Sequence, residues 1–107
     1  MQVTFGPGTY IEGQINLSGE IILGEHKLYL KSAQGDLTST YIPMEKIELL
    51  KQTARGIELH VRPTISHRYA AVIEGEKSSL SELVREIVDR RGLKKRFLRK
   101  EWVEVSH

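Results

Sequence analysis

The residues best suited to chemistry lie near the end of the chain. Positions 90–100 read RRGLKKRFLRK and hold seven of the 16 Lys and Arg residues, with none of the 14 carboxylates. Clustered guanidinium and ammonium groups make charge-assisted hydrogen bonds to phosphate oxygens, so this segment could grip nucleic acid or an anionic membrane surface. The residues that would do so are Arg91, Lys94, Lys95, Arg96, Arg99 and Lys100. Phe97 and Trp102 could add stacking or insert at an interface. A plainer account places Arg90 and Arg91 in the last turn of a helix, where the dipole favours cations. The rest would then be a solvated tail or a protein-docking arm. Leu93, Phe97, Leu98, Trp102, Val103 and Val105 argue against a bare tail, because disordered segments are poor in large apolar residues. Packing on the domain itself, or docking on a protein partner or a second copy of the chain through Phe97, Leu98 and Trp102, is therefore the preferred reading, with an open sheet edge that adds a strand as another route of contact.

Other reactive side chains form no constellation. His60 and His67 fall on neighbouring expected strands, with Glu58 as a conceivable third metal ligand. No H-x-x-x-H spacing accompanies them, and polar-face histidines are usually just exposed, so no metal is expected. Ser78, Ser79 and Ser81 cluster where a helix begins, and capping accounts for them without a nucleophile. Gly6-Pro7-Gly8 lacks the residues that complete a phosphate loop, and it reads as a turn before the first strand. No cofactor and no catalytic residue is assigned, and the expectation is a binding protein rather than an enzyme.

Composition bounds the elements that must position these groups. The chain has 107 residues, enough for one core, with 39% apolar and 28% charged residues. No apolar run approaches the ~20 residues that span a bilayer. The start, MQVTFGPGTY, lacks the features of a signal peptide, so a cytoplasmic location is expected. There is no cysteine, hence no disulfide and no thiolate metal site. The net charge of +2 conceals a split: segment 90–100 carries +7 and everything else −5. This suggests a mildly acidic domain at 1–92 and a basic, partly apolar extension at 93–107.

Along the chain, turn signals punctuate short runs of period two. Ile11, Ile15 and Leu17 share one parity against Glu12, Gln14 and Asn16, as in a half-buried strand. Ile21–Leu23, Lys27–Ser32 and Thr38–Ile42 follow, separated by Ser18-Gly19, Gly24-Glu25 and Gln34-Gly35-Asp36. Pro43 ends a ladder. A short turn at 44–46, a strand at 47–52, a hairpin at Ala54-Arg55-Gly56 and strands at 57–62 and 68–74 complete the β part. After Gly75 the period changes. Leu80, Leu83, Val84, Ile87 and Val88 mark one face of an α-helix over 78–91. Ser79 and Glu82 suggest a capping box, Glu86 and Arg90 an i,i+4 pair, and Gly92 a stop.

Six to seven antiparallel strands and then one helix is a mainly β (α+β) pattern. The stretches GQINLSGEIILGEHKLYLKS and YIPMEKIELLKQTARGIELHV, with the helix after them, resemble the pleckstrin-homology-like (PH-like) superfold, in particular its GRAM-like and small bacterial domains. The resemblance covers about residues 9–92 and is topological. It implies an antiparallel β-barrel or sandwich capped by a C-terminal α-helix, used mostly for binding. Lipid-binding members of the superfold carry several cations in the loop between their first two strands. The corresponding residues here, Leu17-Ser18-Gly19-Glu20, have none, so that site is not expected.

Overall fold

The computed structural model describes residues 2–32, 35–96 and 100–104. Seven strands precede the helix: β1 (Val3–Glu12), β2 (Ile15–Leu23), β3 (Lys27–Ser32), β4 (Gly35–Pro43), β5 (Ile47–Gln52), β6 (Ile57–Thr64) and β7 (His67–Gly75). A 3₁₀ turn at Met44–Lys46 joins β4 to β5. Helix α1 (Lys77–Arg91) follows, and then the short strands β8 (Lys94–Lys95) and β9 (Glu101–Val103). All pair antiparallel in one sheet of order β4-β3-β2-β1-β7-β6-β5-β9-β8. The sheet curls enough to bring β4 near β6 without closing.

Period-two patterning sets the inner face. Leu28 and Leu30 of β3 and Ile57, Leu59 and Val61 of β6 are buried. Lys27, Tyr29, Glu58, His60 and Arg62 alternate with them and stay partly exposed. Ile21 and Leu23 of β2, Tyr10 of β1 and Ile73 of β7 join the same core. The stripe of α1 closes it: Leu80, Leu83, Val84 and Ile87 are buried, and Val88 packs at the margin. Each such side chain contributes about 1.5–3 kcal/mol on burial. The helix lies against β1, β7 and the 3₁₀ turn, capping the mouth of the curled sheet as the apolar stripe requires.

Four local readings are corrected. Ile11–Leu17 is not one strand: Gly13, at φ +58°, and Gln14 form a two-residue turn between β1 and β2. The parity does not survive the turn: Ile11 pairs with Asn16 and Glu12 with Ile15, so Ile11 lies on the opposite face from Ile15 and Leu17. Ser18-Gly19 is not a turn but lies inside β2, opposite Thr9 and Gly8. A Cβ at Gly19 would meet the Lys31 carbonyl oxygen at 2.6 Å, so this glycine serves close strand approach. It follows that Leu17–Glu20 is not the first inter-strand loop. Gly6-Pro7-Gly8 likewise sits within β1, where the register with β2 shifts between Thr4 and Pro7.

The helix also starts earlier than the expected capping box. Its N-cap is Glu76, whose carbonyl already accepts the Leu80 N–H at 2.9 Å, so Ser79 and Glu82 lie inside the first turns. Ser78 Oγ donates to the Glu76 carboxylate at 2.8 Å, which leaves the cap without a side-chain bond to the backbone. At the other end Gly92 is left-handed at φ +70° and its N–H reaches the Val88 carbonyl, the expected stop. Arg90 Nε donates to Glu86 Oε1 at 2.8 Å.

After the helix, Lys94–Lys95 and Glu101–Val103 join the sheet. Leu93 is buried, and β9 pairs with β5, setting Trp102 opposite Leu50 and Val103 opposite Leu49. The radius of gyration is 13.0 Å, matching the ~13 Å of a compact chain of this length, so these residues do not project as an arm.

Candidate functional site

The fold distributes the basic segment over several tasks. Arg91 is internal: its Nε donates to the Ile47 carbonyl at 3.0 Å and its Nη2 to Glu104 Oε1 at 2.7 Å. This ties the helix end to β5 and to the residue after β9. Arg96 Nη1 lies 3.4 Å from Glu101 Oε2, and its backbone N–H bonds the Glu101 carbonyl, closing the β8–β9 connection. Lys95 Nζ sits 5.7 Å from the Trp102 ring centroid, a cation–π distance. Lys94 and Lys100 are exposed, and neither makes an ion pair with the described residues. Arg99, Phe97 and Leu98 lie outside the described residues. Of the expected docking trio only Trp102 is described. It is half-buried and packed against the core, with the remainder of its surface in a cleft lined by Val84, Val88 and Asp89.

Other groups singled out by type are kept apart or paired. His60 aligns with Ala70 and His67 with Thr64, so the two imidazoles do not converge. His60 Nε2 instead lies 2.8 Å from Glu58 Oε2, while His67 stands beside Tyr69. Among the described residues no three potential metal-ligating side chains gather. Most acids that could act as bases are engaged locally. Glu48 lies 3.4 Å from both Arg62 and Arg68, and Glu74 accepts from Arg55. The clearest perturbed proton is on Tyr10. Burial raises its phenol well above the usual range, and the hydrogen bond it donates to Glu12 raises it further. Burial likewise raises Tyr69, with the Glu12 charge adding to it.

A second region emerges only from strand order. Among the described residues the sheet ends in two unpaired edges, β8 and β4. β8 is two residues long and both are Lys. β4 has nine residues, GDLTSTYIP, with one charge among them. A register shift between Tyr29 and Lys31 divides its pairing with β3 into two parts. Next to its better-paired part, Ile22, Tyr29 and Tyr41 align in a row across β2, β3 and β4, on the face away from the core. Ile22 is buried, Tyr29 half-buried, and Tyr41 is 45% exposed at the rim. Lys27 Nζ stands 5.2 Å from the Tyr29 ring centroid and 5.3 Å from that of Tyr41, holding the two rings as one platform. The β-rich composition of Thr38–Ile42 was visible in the sequence, but its position at an edge was not.

Comparison with known proteins adds no relative: no family model, no curated protein and no solved structure matches the chain.

Proposed function

We propose that this protein is a non-enzymatic interaction module that self-associates by pairing the β4 edge of one copy with that of another. The observation that carries this is the contrast between a long, nearly uncharged edge strand and a short edge made only of Lys. An exposed edge is a template for further strand pairing, and soluble proteins blunt it with brevity and charge. β8 has both devices. β4 has neither, apart from the irregularity in its pairing with β3. Two identical edges meeting antiparallel satisfy a two-fold axis and close at a dimer. Tyr41, Tyr29 and Lys27 beside the edge supply side-chain contact. A PH-like scaffold used for binding agrees with this reading, which rests on the edge and not on the resemblance.

The alternative, phosphate-backbone or anionic-membrane contact through 90–100, has less free charge to draw on. Arg91 and Arg96 are held by Glu104 and Glu101.

Light scattering across a concentration series tests the proposal. The full chain is expected to show a mass rising from monomer towards dimer. Tyr41→Lys, which places a charge at the edge without touching the core, is expected to shift it back to monomer. A wild-type mass that stays monomeric throughout would reject self-association. A dimer untouched by Tyr41→Lys would move it away from β4.

A further inference from the structure

The hairpin between β5 and β6, the start of α1 and the residue before β9 meet around a cavity of about 540 Å³, within the ~300–1,000 Å³ typical of small-molecule sites. Its position depends on Gly56. A Cβ there would lie 2.2 Å from the Ile73 carbonyl oxygen, so only glycine lets the hairpin fold down onto the end of β7. The turn closes on itself, with the Thr53 N–H on the Gly56 carbonyl at 2.8 Å and the Gly56 N–H on Thr53 Oγ1 at 3.1 Å. Lys100 is brought in by its own backbone, whose carbonyl accepts the Gln52 N–H at 2.9 Å.

Charge sets this cavity apart. Among the described residues, its charged lining consists of Arg55, Lys77 and Lys100, from three separate stretches of chain, with Gln52, Thr53 and Ser81 as neutral polar neighbours. Of four further clefts, three carry both signs and one carries only Glu74. Two carboxylates are nearby, and neither lines the cavity. Glu74 is bonded to Arg55, and Glu76 accepts from Ser78. Lys77 and Lys100 are exposed and make no ion pair with described residues, so no partner among the described residues explains their convergence. Lys77 and Lys100, beside an Arg55 already paired with Glu74, face one concavity and raise the local concentration of an anion.

We propose that this cavity binds a phosphoryl group, with Lys77 and Lys100 as its main contacts and Arg55, oriented by Glu74, as the third. Its source is either a soluble phosphate ester or a phosphorylated lipid headgroup, since both present the same oxygens. The site is distinct from the run at 90–96. It uses one residue of the basic segment, Lys100, and two cations from outside it.

The probe is pyrophosphate at low salt, followed by calorimetry and by amide chemical shifts. Wild type is expected to bind with shifts at 53–56, 77–81 and 100. Each lost charge-assisted contact weakens such binding by about tenfold or more, so Lys77→Gln with Lys100→Gln should abolish measurable affinity. Lys94→Gln, which removes one exposed charge from β8, should change it less than about twofold, as an exposed distant charge is screened. Equal weakening by Lys94→Gln, or no binding by wild type, overturns the proposal. Co-sedimentation with phosphatidylcholine vesicles, with and without phosphatidic acid, assigns the source. Retention on phosphatidic acid that the double variant loses points to a headgroup, and pyrophosphate binding without retention points to a soluble ester. Retention without pyrophosphate binding would reflect surface attraction alone and also overturns the site.

Discussion

The two ends of the sheet meet solvent in opposite ways. At the β8 end, the outermost strand is two lysines, and the strand within it, β9, is anchored by Trp102 opposite Leu50 and by the Arg91–Glu104 pair. At the β4 end, nine residues with one charge form the outermost strand, and an exposed tyrosine stands at the rim. One end presents a short strand of two lysines. The other is left available. The difference teaches that the basic segment first serves the sheet as a terminator. On the proposed self-association, contact falls to the end of the molecule that the charge distribution leaves unmarked.

The largest expected effect tests whether the β8 end is structural. Trp102→Ala should lower the unfolding free energy in urea by about 2–3 kcal/mol, somewhat below a fully buried Trp because Trp102 is half-buried. Tyr41→Ala in the same assay should cost less than about 1 kcal/mol, as exposed substitutions do. Equal losses would erase the distinction between the two ends.

A smaller effect belongs to the centre of the sheet. Tyr10→Phe removes the bond to Glu12 and should cost about 1 kcal/mol at neutral pH. It should leave the association state unchanged, since Tyr10 is on neither edge. The fold raises the Tyr10 phenol, so the unfolded chain ionises first as pH rises. Wild-type stability should hold below the unfolded phenol value of about 10 and decline above it. The Phe variant should decline less steeply over that range. Parallel alkaline denaturation curves would show that Tyr10 is not the group responsible.

The smallest effect probes the terminator itself. Replacing Lys94 and Lys95 by Thr removes the charge from β8 and should change stability by less than about 0.5 kcal/mol. Each copy would then have two edges fit for pairing, and scattering at high concentration should show species larger than a dimer. No such species would mean that β8 is protected by its brevity, with charge immaterial.

Much of the fold was legible because its signals are local. The alternation of Leu28/Leu30 and of Ile57/Leu59/Val61, the 3.6 period from Leu80 to Val88 and the Gly92 stop are each decided by neighbours within one element. The misread pieces were glycines. Gly19 and the Gly6–Gly8 segment look like turns in sequence, yet they serve close strand approach and a register shift, which depend on residues far along the chain. The candidate sites were less legible for the same reason. The concentration of cations at 90–100 was plain, but which of them meet Glu101 or Glu104 depends on how β9 docks on β5.

By itself, then, the amino-acid order determined the periods, and with them the faces that had to be buried and the antiparallel strands with a single capping helix. Only the tertiary structure decided that Trp102 joins the sheet, that β4 lies at its edge, and that Arg55, Lys77 and Lys100 share one cavity. Burial periodicity is written residue by residue along the chain. Pairing between distant strands is selected by the packing of the whole core, and no short stretch encodes it.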